Sequence, residues 1–171
     1  DFCLSRGLGD VYKRQFPTTG TIAINASGEL VVVGGDNDGA YSTIGHEGLV
    51  VEGDISLTIA DDMFVDGGDA DGTDAQVGHF AEFYADGRIS ATVGGDLSVR
   101  AGYGQDNAPA YVGHTGDGDL SGDIDIDVAG ALDLFGSAFG DFSFAQIGHG
   151  DGGGAYSGTR QGNITVTAGG C

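Results

Sequence analysis

The chain has 171 residues, enough for one ordinary domain, with 35 glycines, two prolines, no tryptophan and a formal net charge of −20. No Gly-X-Y period exists, which excludes a collagen-like helix, and a hydrophobic share of 40% is too high for a disordered glycine linker. The acidic balance argues against nucleic acid or anionic membrane as a partner. No apolar run approaches the roughly 18–20 residues of a membrane-spanning helix, so no membrane insertion is expected.

Residues 1–15 differ from everything after them. They hold Lys13, the only lysine, with Arg6 and Arg14, two of the five arginines. A targeting peptide needs an apolar stretch after its basic residues, and the following FPTTG does not supply one. Read back through the genetic code, residues 10–15 can be written GAT GTG TAT AAG AGA CAG. This resembles the transposase end sequence of sequencing libraries, and the adaptor upstream of it translates to SRGLG in the same frame, the sequence at residues 5–9. Residues 1–15 are therefore expected to be a non-native, adaptor-derived leader without order, and residues 16–171 a repeat fragment cut at both ends. Without the leader the chain has 24 acidic and 3 basic residues, no lysine and, of its two cysteines, only Cys171.

From Gly20 onward, three elements recur in a fixed order. The first is Gly-x-Ile followed by alternating apolar positions: GTIAINA from Gly20, GDISLTI from Gly53, GRISATV from Gly87, GDIDIDV from Gly122 and GNITVTA from Gly162. The second follows a short break, as ELVVV from Glu29, DMFV from Asp62, DLSVR from Asp96 and ALDLF from Ala131. The third ends in TIGH, QVGH, YVGH or QIGH. All four histidines of the chain occupy this last position: His46, His79, His114 and His149, spaced by 33, 35 and 35 residues and preceded by Gly45, Gly78, Gly113 and Gly148.

Alternation with period 2 marks each element as a strand with one buried face. In the first, Ile55, Leu57 and Ile59 align with Ile89, Ala91 and Val93, then with Ile124, Ile126 and Val128, while polar residues such as Ser56 and Thr58 face out. The second turns in Leu30/Val32, Met63/Val65, Leu97/Val99 and Leu132/Leu134; the third, Ser42/Ile44, Ala75/Val77, Ala110/Val112 and Ala145/Ile147. The distance from first to second strand is eight residues in every copy. The stretch after Gly-His instead runs from nine residues (His46 to Ile55) to fifteen (His149 to Ile164), and so reads as a loop leaving the stack. A unit of this kind cannot bury its own apolar face and needs the next copy on top of it. The pattern predicts an all-β, parallel, right-handed β-solenoid of about four and a half coils of 33–40 residues, with three short strands per coil.

The elements AQIGHG (residues 145–150), GNITVTAGG (162–170) and VGGDLSVRAG (93–102) resemble repeats of very large bacterial surface adhesins of the filamentous haemagglutinin type. The resemblance runs from about Gly20 to the last residue. It implies a right-handed parallel β-helix, export through a dedicated outer-membrane partner transporter, an extracellular or cell-surface location, and a role as a piece of fibre shaft.

Three candidate chemistries arise from the residues. The histidines, stacked about 5 Å apart, could form a Zn²⁺ or Cu²⁺ column. Collinear imidazoles do not make a tetrahedral site, however, and the expectation is a structural ladder in which rings stack and bond exposed backbone, with each Gly at a sharp turn. Two acidic stretches, DGGDADGTD (66–74) and GDGDLSGDIDID (116–127), suggest Ca²⁺, but no nine-residue calcium repeat occurs and the acidic positions read as out of phase from coil to coil. No obligatory cofactor is expected. Catalysis would need a unique constellation; acidic pairs such as Asp125/Asp127 belong to a regular strand, and only Arg88, Arg100 and Arg160 are basic after residue 15. The aromatics Phe135, Phe139, Phe142 and Phe144, with Phe80, Phe83 and Tyr84, either cap the core or form a contact patch.

The expected function is a structural and adhesive fibre segment without catalysis, reaching a host or neighbouring-cell surface protein or glycan through the full-length protein. The alternatives are a glycan-binding or polysaccharide-degrading β-helix and a Ca²⁺-stabilised secreted module. Uncapped strand edges at both ends should make the isolated chain self-associate end to end.

Overall fold

The structure is a computed structural model that describes residues 17–103, 106–138, 141–150 and 158–169. The expectations for residues 1–15 and for Cys171 fall outside these residues. The described residues form no helix. Their paired strands are all parallel and stack as a β-solenoid of about four turns.

The three repeated elements become three sheets. Ile22–Ala26, Ile55–Ile59, Ile89–Val93, Ile124–Val128 and Ile164–Ala168 form the first sheet. Leu30–Val33, Met63–Asp66, Leu97–Arg100 and Leu132–Phe135 form the second. Ser42–Ile44, Ala75–Val77, Ala110–Val112 and Ala145–Ile147 form the third. Register is residue for residue, with Ile22, Ile55, Ile89, Ile124 and Ile164 in one column. Because a slip of one residue would turn every apolar side chain outward, this register is the one that fills the interior. Ile55, Met63, Val77, Ile89, Leu97, Val112 and Ile124 are among the side chains that close the main core.

A coil has a fourth strand that the repeat pattern does not reveal. Thr18–Thr19, Glu47–Glu52, Phe80–Asp86, Asp119–Ser121 and Arg160–Gln161 pair into a fourth sheet from the segment read as a loop. Its register shifts between Gly48 and Val50, and the column through Val51, Ala85, Leu120 and Arg160 mixes side chains of unlike size and polarity. Backbone pairing therefore sustains this sheet where side-chain repetition does not. Val51, Ala81, Ala85 and Leu120 form a second, smaller core cluster.

Two glycine columns bound the fourth sheet. A Cβ on Gly78 or Gly113 would fall on the carbonyl oxygen of the matching glycine in the next coil, Gly113 or Gly148. The same holds at Gly53, Gly87, Gly122 and Gly162, each against the glycine carbonyl one coil before it. The requirement for glycine is thus mainly the close approach of one coil's backbone to the next, rather than the turn alone.

A further column lies in the loop between the second and third sheets. The backbone hydrogen bonds align Gly39, Gly72, Asn107 and Phe142, and all four have left-handed φ, at 72°, 68°, 54° and 60°. Gly and Asn suit that conformation, whereas a bulky Phe there is strained.

Candidate functional site

The structure brings His46, His79, His114 and His149 into one column. Successive ring centroids are 5.3, 4.8 and 4.9 Å apart, with interplanar angles of 9°, 3° and 11°. The backbone bonds the rings of His79, His114 and His149 at both nitrogens and that of His46 at Nε2. Nδ1 of His79, His114 and His149 accepts the N–H of the histidine one coil earlier, at 3.0, 3.0 and 3.2 Å. Nε2 of His46, His79, His114 and His149 donates to the carbonyl oxygens of Gly20, Gly53, Gly87 and Gly122, at 3.2, 2.7, 2.8 and 2.8 Å. An acceptor at Nδ1 and a donor at Nε2 fix the neutral Nε2–H tautomer for His79, His114 and His149. The imidazole spans from the corner after the third sheet to the glycine before the first, and so closes the coil's main cross-section.

This arrangement commits the lone pair that a metal would need. Burial holds His79, His114 and His149 below the usual imidazole range, His114 down to about 4, so the rings stay neutral. Among the described residues no group of three His, Cys, Asp or Glu side chains is placed to hold a metal ion. Gln76 completes the wall: its Nε2 donates to the carbonyl oxygens of His79 and Gly113, both at 3.1 Å, and its Oε1 accepts from Thr115 Oγ1 at 3.1 Å.

The aspartates are more ordered than their spacing suggests, and the reading of them as out of phase is corrected. Asp71 and Asp106 precede the left-handed residues of their coils, and Oδ1 of each accepts the N–H of the matching residue in the next coil, Asp106 at 2.9 Å and Asp141 at 2.7 Å. Asp62 and Asp96 do the same to Asp96 and Ala131, both at 2.8 Å. Asp54, Asp119 and Asp123 take the N–H of Arg88, Thr159 and Asn163, at 2.9, 2.7 and 2.8 Å. The phase was hidden because some partners in these columns are not acidic. Asp125 instead pairs with Arg88 Nε at 2.8 Å on the exposed face of the first sheet.

The aromatics divide. Phe144 packs edge-on against Tyr111 with centroids 5.4 Å apart. Phe80, Phe83 and Phe142 are exposed, and Phe139 lies outside the described residues. Phe135 joins a site that the repeat pattern concealed. Val33, Asp66, Arg100 and Phe135 form one column at the end of the second sheet, and a cleft of about 580 Å³ opens there. The Arg100 guanidinium lies 5.2 Å from the Phe135 ring centroid. Asp66 Oδ1 is buried without a hydrogen-bond partner among the described residues, and burial raises this carboxyl above its usual range while Arg100 partly opposes the shift. The signal was available: this is a strand position where the chemistry changes in every coil while its neighbours repeat.

Fold and site together define a parallel β-solenoid with a histidine-lined wall and one chemically irregular cleft. Comparison with protein-family models, curated proteins and solved structures found no match.

Proposed function

We propose that the chain is a structural and adhesive segment, a length of rigid shaft, within a large secreted bacterial surface protein. The observation that carries this reading is the use of the repeated polar groups. The four imidazoles and the laddered aspartates are spent on backbone of their own or a neighbouring coil, so repetition serves the rod. Such a rod extends by adding coils and holds a distal binding region away from its anchor. Through the full-length protein it serves attachment to a protein or glycan on a host or neighbouring cell surface. The chain does no covalent chemistry.

The test is to incubate the fluorescently labelled chain with a panel of bacterial and animal cells, and separately with soluble polysaccharides. The expected result is retention on cells while the polysaccharides keep their length. Release of new reducing ends or unsaturated sugars would overturn the reading in favour of a polysaccharide-degrading β-helix. The glycan-binding alternative is favoured by one observation, the cleft beside Asp66 and Arg100.

A further inference from the structure

The cleft has a volume within the range of small-ligand sites, and its chemistry points to one kind of ligand. It crosses the stack from Val33 through Asp66 and Arg100 to Phe135. Those three inter-strand steps span about 14 Å, longer than a single sugar ring and suited to a short chain of them.

Charge selects against anions. Among the described residues Arg100 is the one cation lining the cleft, Asp66 and Asp69 line it too, and the whole chain carries −20. A carboxylated or sulfated ligand would meet net repulsion there. The hydrogen-bonding demand selects for hydroxyls. The Asp66 carboxylate and the exposed Arg100 guanidinium line the same cleft, one an acceptor and the other a donor, and a hydroxyl can serve both. Exposed rings complete the set: Tyr103 is 76% exposed and Phe135 50%, and aromatic faces of this kind pack against the C–H face of a pyranose.

We propose that this cleft binds a neutral oligosaccharide laid along the solenoid axis, with Asp66 and Arg100 addressing its hydroxyls and Tyr103 and Phe135 packing on its rings. The repeat of an extended pyranose chain is close to the inter-strand spacing, so successive sugar rings meet successive coils. The inference deepens the adhesive reading and rests on it for the ligand's role as an anchoring surface.

The experiment is calorimetric titration of the full chain with cellohexaose, maltohexaose and mannohexaose, with hexagalacturonate as the anionic probe. At least one neutral hexasaccharide should bind, and bind more tightly than hexagalacturonate. Tyr103→Ala and Asp66→Asn should each weaken that binding by about tenfold or more, while Phe83→Ala, an exposed aromatic outside the cleft, leaves it unchanged. Tyr103 is exposed and Asp66 half-buried, and matching far-ultraviolet dichroism would establish that the variants keep the fold. No binding of any neutral probe, tighter binding of hexagalacturonate, or a smaller loss in either cleft variant overturns the proposal. The same variants in the cell-retention assay separate the two readings. Cells retained by a chain that binds no saccharide remove the cleft proposal alone; saccharide binding without cell retention removes the adhesive reading alone.

Discussion

The backbone N–H of His79 donates to Nδ1 of His114 at 3.0 Å, and the opposite nitrogen of that ring donates to the Gly87 carbonyl at 2.8 Å. One fully buried ring thus links neighbouring coils and closes its own. His114→Ala removes the ring and leaves a donor and an acceptor unpaired inside the fold. The expected loss is about 3–5 kcal/mol of unfolding free energy, read from the urea midpoint. A loss below about 1 kcal/mol would mean that water replaces the ring without penalty.

Acid should weaken the fold through the same column. Unfolded imidazole titrates near 6.5, whereas His79, His114 and His149 are lowered by burial, His114 to about 4. Between those values the unfolded chain binds more protons than the folded one. The stabilisation is therefore complete above about pH 6.5 and is lost as pH falls towards 4. His114 alone accounts for about 3 kcal/mol across that window. Asp54, Asp86 and Asp123 favour protonation of the rings, while neighbouring imidazoles and Arg160 oppose it. Asp66 and Asp74, raised by burial, act in the opposite sense and become less costly as they protonate. Urea midpoints at constant ionic strength should nevertheless fall from about pH 7 to about pH 4. A flat profile would show that the column does not dominate.

Phe142 holds a backbone conformation that glycine occupies in two equivalent coils, and its ring is half exposed. Phe142→Gly should raise stability by about 0.5–1 kcal/mol, the relief of left-handed strain less the added chain entropy. Thermal melts would detect this as a higher Tm. A lower Tm would mean that the ring contributes more than its exposure indicates.

Gly113→Ala should be severe. The new Cβ would sit on the Gly148 carbonyl, a backbone atom that moves only if two coils part. We expect a loss of about 3 kcal/mol or more, or failure to fold, whereas Gly39→Ala, where a Cβ meets nothing within 4 Å, costs only about 1 kcal/mol of left-handed strain. Similar denaturant midpoints for the two variants would refute the close-approach account.

Asp106→Ala should cost about 1 kcal/mol by removing the acceptor of the Asp141 N–H at 2.7 Å. Because the laddered carboxylates already serve backbone, millimolar Ca²⁺ should raise Tm no more than Mg²⁺ at equal concentration. A rise specific to Ca²⁺ would restore the calcium-stabilised alternative.

Three of the four sheets were legible because their inward residues repeat. Ile55, Ile89 and Ile124 announce their column by identity and spacing alone. The fourth was not, since Val51, Ala85, Leu120 and Arg160 share a column without sharing size or polarity, and a register shift breaks the count. The histidine column could be placed from its spacing. Its tautomer could not, because that depends on which backbone group meets each nitrogen. The cleft was harder to read for the opposite reason: repeats draw attention to what stays constant, and Asp66, Arg100 and Phe135 matter by differing.

The two glycine columns have a consequence for how such a rod can diversify. At those corners the main chain of one coil rests on the main chain of the next, so the pitch is dictated largely by atoms common to every residue type. Outward strand positions such as Ser56 and Thr58 carry no part in that spacing. Each coil's outer surface can be rewritten like a panel on a fixed frame, and a new recognition face can arise in one panel while the panels above and below keep their places.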